Sequence, residues 1–170
     1  MKPNRKGRII WMTLLTFVFL CMGCQNEVGA GPPAPDFSLK DVNGHTVTLG
    51  QHLGQVVLVD FWATWCPPCR KSIPELVMLQ KKYKERGLVI LGISLDDPMR
   101  TSSLSLQTFI KNNHINYQIL KSNKKTLKDF FGNTRISIPT MFIIDRQGKI
   151  KDKLVGFSPG SLENKLNTLL

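Results

Sequence analysis

Two cysteines separated by two residues, in Trp65-Cys66-Pro67-Pro68-Cys69, can close a disulfide and reopen it within one local structure. The surroundings favour that chemistry. Val56 to Phe61 predicts a buried strand running into the pair, and Arg70 to Arg86 predicts a helix leaving it. A cysteine at such a junction lies at the positive end of the helix dipole, which favours thiolate over thiol. Two other readings compete for the same residues. A structural zinc site needs four ligands, and no second Cys or Cys/His pair follows at a similar spacing. A static disulfide remains open, although so short a loop removes little chain entropy and would add little stability.

The elements that must position this pair can be read along the chain. Its 170 residues suit one domain with a real core. Lys2, Arg5, Lys6 and Arg8 form a basic start, followed by an uncharged apolar run from Ile9 to Leu20. That run is shorter than the roughly 20 residues a spanning helix requires, and it reads as an export signal over residues 1–23. Leu20-Cys21-Met22-Gly23-Cys24 is similar to a lipoprotein processing site, with Cys24 as lipid acceptor; Cys21 stands where leucine is usual. Simple cleavage and an uncleaved anchor are the alternatives. All three place the domain outside the cytoplasm. Cleavage before Cys24 would leave Cys66 and Cys69 as the only thiols of the mature domain, in a compartment where disulfides persist.

Residues 24–34, rich in Gly and Pro, read as a flexible lipid-linked tether, and 35–170 as the globular domain. Phe37-Ser38-Leu39 and Val47-Thr48-Leu49 flank Asn43-Gly44 as a hairpin signal. Leu88 to Leu95 predicts a second buried strand, with Gly87 as helix stop before it, and Ser103 to Asn113 a helix. A short strand (Tyr117 to Leu120), a short helix (Lys124 to Phe131) and a strand pair (Thr140 to Asp145, Ile150 to Val155) follow. Ser158 with Pro159 predicts the start of a last helix. Alternating strands and helices imply an α/β fold with helices on both faces of a mixed sheet. The formal charge of +11 falls by four with the signal. It lies mainly on Lys81, Lys82, Lys84, Arg86 and the Lys121 to Lys128 stretch, and reads as a solvated face or as steering toward an acidic partner or an anionic membrane surface. Export and the lack of a basic-aromatic motif argue against nucleic acid.

Val59-Asp60-Phe61-Trp62-Ala63-Thr64-Trp65-Cys66-Pro67-Pro68-Cys69-Arg70, Pro74, Ile138-Pro139-Thr140 and Gly156 together resemble the thioredoxin superfamily. The Pro35-Asp36-Phe37 opening and the extra segment near residues 97–120 resemble its TlpA/ResA branch of membrane-tethered thiol-disulfide oxidoreductases. The resemblance implies a thioredoxin-like fold with an N-terminal hairpin extension and a central insertion. It implies that Cys66 is an exposed nucleophile, that Cys69 resolves the mixed disulfide, and that Asp60 is a buried proton acceptor with a raised pKa. Pro139 would be a cis proline opposite the pair, with Ile138 presenting backbone groups to a substrate strand, and Pro74 would kink the long helix. Pro67 and Pro68 would stiffen the helix start and tune the thiolate. Trp62 and Trp65 either cover the pair or form a partner-binding rim, and Phe61 is core.

The partners implied are protein thiols or disulfides, apocytochrome c among them, a membrane electron donor, and the membrane itself through the lipid. No cofactor or metal beyond the Cys66–Cys69 disulfide is expected, and reduction of partners is the expected direction. Some cytochrome-maturation members carry an acid three residues after the second cysteine; Ser72 stands there, with Glu75 the nearest acid. His45, His52 and His114 read as surface or turn residues. Two competitors on the same fold are a peroxiredoxin, which needs Thr where Ala63 stands, and a copper carrier, which expects a wider Cys spacing and a nearby histidine.

Overall fold

The computed structural model describes residues 31–170. The export signal, Cys24 and most of the expected tether lie outside the described residues. Among the described residues no helix is long and apolar enough to cross a membrane.

Val56–Trp62 forms β3, and all seven residues are buried. Such a run, rich in β-branched and aromatic residues, fits a central strand covered on both faces. β4 (Leu88–Ser94) lies parallel to it. On its other side β6 (Thr140–Ile144) pairs antiparallel with β3, and β7 (Ile150–Val155) pairs antiparallel with β6. β5 (Gln118–Lys121) completes the sheet in the order β5-β4-β3-β6-β7. A separate antiparallel hairpin, β1 (Ser38–Lys40) and β2 (Thr46–Thr48), precedes it. The Asp41 carboxylate closes its turn by accepting from the amides of Asn43 and His45, both at 2.8 Å.

Four helices follow the strands: α1 (Pro67–Tyr83), α2 (Ser103–Asn112), α3 (Lys124–Phe131) and α4 (Ser161–Asn167). Alternation along β3 divides the core in two. Val56, Leu58 and Trp62 face a cluster containing Ile73, Leu76 and Leu79 of α1 and Leu162 and Leu166 of α4. Val57, Val59 and Phe61 face a second cluster, in which Phe61, Phe130, Phe131 and Phe142 meet edge-on or tilted with ring centroids 4.9–5.9 Å apart. This is the mixed-sheet α/β architecture, hairpin extension and central insertion included, that the resemblance implies.

α1 begins with Pro67 and Pro68, where missing amide protons cost nothing, and ends in a 3-10 turn stopped by Gly87 at φ 89°. Gln80, buried on α1, donates to the Leu88 carbonyl at 3.0 Å and accepts from the Ile90 amide at 2.7 Å. Those groups lie on the stretch of β4 that β5 does not reach, since their pairing begins at Leu91. The side chain therefore replaces a missing strand there.

Two helix starts differ from expectation. α1 begins at Pro67, three residues before Arg70. The last helix begins at Ser161 with Gly160 before it, whereas Ser158 was expected to cap it. The Ser161 amide bonds the Ser158 carbonyl at 3.3 Å and Gly160 has φ 76°. Pro159-Gly160 thus occupies the middle of a turn whose third position requires positive φ, and that turn consumes the residues read as the first helical turn. The strand expected over Tyr117 to Leu120 runs from Gln118 to Lys121, one residue later, and leaves Tyr117 just before it.

Candidate active site at the carboxyl end of β3

β3 delivers its chain into Ala63-Thr64-Trp65, and Cys66 caps α1. The Cys66 amide bonds the Ala63 carbonyl at 3.2 Å, and the Arg70 amide bonds the Cys66 carbonyl at 3.1 Å. The Cys66 sulfur accepts from the Cys69 amide at 3.3 Å. Cys66 and Cys69 are joined by a disulfide with Cα atoms 5.3 Å apart. The same amide and the dipole of α1 would stabilise a thiolate on Cys66 once the bond opens. Pro67 and Pro68 leave that amide as the first donor of the helix.

Cys66 is only 3 % exposed, contrary to the exposed nucleophile the resemblance implies. The reason is the loop before β6. The Cys66 sulfur lies 3.7 Å from the Ile138 carbonyl oxygen, and Trp62, Ala63 and Ile138 pack in the same cluster. In the disulfide this sulfur carries no proton, so the approach is a packing contact that becomes a donor–acceptor geometry only in the thiol. What reaches solvent is the rim, Trp65 at 63 % with Pro67 and Pro68. Trp62 does not join that rim: it is buried and packs against Phe109 at 5.6 Å.

Ile138-Pro139 is a cis peptide, as expected, and the Pro139 carbonyl is tied to the Gly156 amide at 2.8 Å. Thr140 Oγ1 donates to the Ser137 carbonyl at 2.6 Å. These bonds fix the loop against the Cys pair.

Asp60 is buried and faces the same side of the sheet as α1 by alternation with Leu58 and Trp62. Burial pushes its carboxyl up to about 7, since no positive group offsets the lost hydration. Among the described residues neither Asp60 Oδ1 nor the Trp62 indole nitrogen has a hydrogen-bond partner. Gly92 stands beside Asp60 on β4, and a Cβ there would approach Ile119 and the Trp62 indole nitrogen within 2.6 and 3.0 Å. Glycine is required for the indole to lie where it does. The nearby Tyr117 hydroxyl is pushed well above its ordinary value by burial and then by the Asp60 charge.

A second acid, Asp96, holds the loop from the other side and was not foreseen. It accepts from the Thr64 amide at 3.1 Å and from Thr64 Oγ1 at 2.6 Å, while Ser94 Oγ donates to it at 2.7 Å. Its signal in the sequence is a polar residue just past the carboxyl end of a central strand, where α/β sheets place their sites. Ser72 is fully buried and donates to the Cys69 carbonyl at 2.8 Å. Glu75 is engaged elsewhere, accepting from the Gly160 amide at 3.1 Å. His45 is 78 % exposed in a turn, and His114 ends α2 at φ 52°. His52 lies in the 3-10 turn after β2, with Nδ1 3.2 Å from Gln55 Oε1.

A disulfide at a strand-to-helix junction, a cis proline facing it and a buried acid on the same face of the sheet as the helix form one constellation, and the sequence profile of the AhpC/TSA family matches residues 30–153. The chain belongs to the AhpC/TSA family. Within it, the chain is 34 % identical over 146 residues to the thioredoxin-like protein YneN of Bacillus subtilis, covering 84 % of this chain and 83 % of that protein. It is 31 % identical to the thiol-disulfide oxidoreductase ResA of Geobacillus kaustophilus over 78 % of this chain and 72 % of the relative. The crystal structure of a thiol:disulfide interchange protein DsbE from Chlorobium tepidum superimposes with TM-score 0.71 at 33 % identity, covering 82 % of this chain and 96 % of that one. This member is therefore a thiol-disulfide oxidoreductase of ResA/DsbE type with a Cys66–Cys69 pair.

Proposed function

We propose that this protein is an extracytoplasmic, membrane-tethered reductant of protein disulfides, with apocytochrome c as client and a membrane protein as electron donor. The observation that carries the reading is the Cys66–Cys69 disulfide at the start of α1, with the buried Asp60 carboxyl, pushed up to about 7 by desolvation, on the same face of the sheet.

The reduced pair reacts in two steps. The Cys66 thiolate attacks one sulfur of the partner's disulfide, forming a mixed disulfide and expelling the other partner sulfur as thiolate. The partner strand lies along Ile138-Pro139, with Trp65, Pro67 and Pro68 as its rim. Asp60 then accepts the proton of the Cys69 thiol, and the Cys69 thiolate attacks Cys66 Sγ. The second partner sulfur leaves, and two electrons have passed to the partner while Cys66–Cys69 becomes the disulfide seen here. The donor restores the dithiol by the reverse exchange. Cys24, acylated, would hold the domain at the membrane.

Ala63, fully buried before Cys66, offers no hydroxyl to a peroxide, so the geometry does not favour a peroxidase. Alkylation of thiols in intact cells tests the direction. The reading expects Cys66 and Cys69 to be mostly reduced at rest, and cells lacking the protein to lose c-type cytochromes. A pair that rests oxidised would make it an oxidant instead.

A further inference from the structure

The sheet separates two poles. Cys66 lies past the carboxyl end of β3, while Val56, Leu88, Ile144 and Ile150 mark the opposite end by their register. The chain joins the domain at that opposite pole. The Ile150 amide bonds the Pro32 carbonyl and the Ala34 amide bonds the Gly148 carbonyl, both at 2.9 Å. A Cβ on Gly31 would fall onto the Ile150 carbonyl oxygen, so the backbone approach there needs glycine.

Cations gather at the same pole. Segments 81–88 and 145–149 hold six Lys and Arg residues against two acids. One of those acids, Asp145, turns inward to accept from the Gln147 and Lys149 amides. Lys82 is paired with Glu163, but among the described residues no carboxylate pairs with Lys81 or Lys84. Arg146 donates to the carbonyls of Gly54 and Arg86, which leave its charge unneutralised. Among these cations Leu53 is 63 % exposed, and its side chain lies against Gly148.

We propose that this pole docks on an anionic phospholipid surface, turning the Cys pair toward the aqueous side. The inference rests on the reading of residues 1–23 as an export signal and of Cys24 as the lipid attachment. A short tether that emerges among clustered cations lets them come within a Debye length of the headgroups, where attraction to anionic lipid is strong and salt-sensitive. Leu53 adds an apolar contact at the headgroup boundary. The attachment alone would leave the domain free to tumble, and Lys121 and the start of α3 put cations at the Cys end as well; the pole at the root of the tether is the one held against the headgroups, which keeps the rim around Trp65 open to soluble partners.

The test is hydrogen exchange on the full chain in lipid nanodiscs, either neutral phosphatidylcholine or phosphatidylcholine with phosphatidylglycerol. Peptides covering 50–55, 81–88 and 145–149 are expected to exchange several-fold more slowly in the anionic discs only, and to lose that protection in high salt. The Lys81→Glu/Lys84→Glu pair should abolish it, and Leu53→Ser should reduce it, with unfolding midpoints and exchange activity toward a small disulfide unchanged. Equal exchange in both discs would overturn the proposal, as would protection at 63–70 instead, the mark of an acidic or active-site partner surface. A chain that does not associate even with neutral discs would refute the attachment reading on which the proposal rests.

Discussion

Asp60→Asn isolates the electrostatic cost stored beneath the Cys pair. In the folded chain this carboxyl titrates at about 7 instead of 3.8, through desolvation. Between those values the folded state holds a proton that the unfolded chain has released, so stability falls as pH rises. The contribution of the protonated group is complete below the unfolded pKa of about 4 and is lost as pH passes through 7. Three pH units at about 1.4 kcal/mol each place the loss at about 4 kcal/mol. Asparagine keeps the shape without the charge, so it removes the pH-dependent part and leaves a constant offset for a buried amide. Guanidinium unfolding of both oxidised proteins from pH 4 to 9 reads the difference directly. The stability gap should change by about 1.4 kcal/mol per pH unit between pH 5 and 6 in favour of the variant, at about half that rate at pH 7, and level off above about 8. A gap that stays flat across this range would refute the assignment of Asp60 as a desolvated, unpaired acid. The same substitution should slow release of the mixed disulfide and erase the inflection near neutrality in its pH profile.

Three further substitutions probe the supports of the site. Asp96→Ala strips Thr64 and Ser94 of their acceptor and should cost about 1–3 kcal/mol, with faster amide exchange at residues 63–66 and slower disulfide exchange. Gln80→Leu orphans the Leu88 carbonyl and the Ile90 amide, at about 1–3 kcal/mol for each group, measured by denaturant unfolding with the redox reaction unaffected. Trp65→Ala removes the exposed aromatic of the rim. It should lower kcat/KM at least about tenfold for a protein disulfide, as loss of a binding hot spot does, and leave a small disulfide substrate unchanged.

The sequence exposed the strands and the redox pair because their signals are local. Val56 to Phe61 has no polar residue except Asp60, so its burial and that of Asp60 follow from one pattern. Gly87 marks the end of the helical stretch that leaves the Cys pair by a backbone constraint that any fold must respect. Pro139 was accessible only through resemblance, since nothing local separates cis from trans. What escaped notice depends on pairs distant in the chain. Asp96 reaches back 32 residues to Thr64, and the burial of Cys66 comes from Ile138, 72 residues away. Ser158-Pro159 misled because a Pro-Gly turn and a capped helix start share the same first residues, and only the positive φ of Gly160 decides between them.

In the proposed exchange Cys66 attacks and Cys69 resolves, so the two sulfurs have separate jobs. Reduced Cys69→Ser and Cys66→Ser proteins should each be mixed with a disulfide-bonded peptide, quenched with acid and mapped by mass spectrometry. A mixed disulfide on Cys66 should accumulate and persist in Cys69→Ser, with little or none on Cys69 in Cys66→Ser. Equal adducts on both sulfurs, or none on Cys66, would contradict that division.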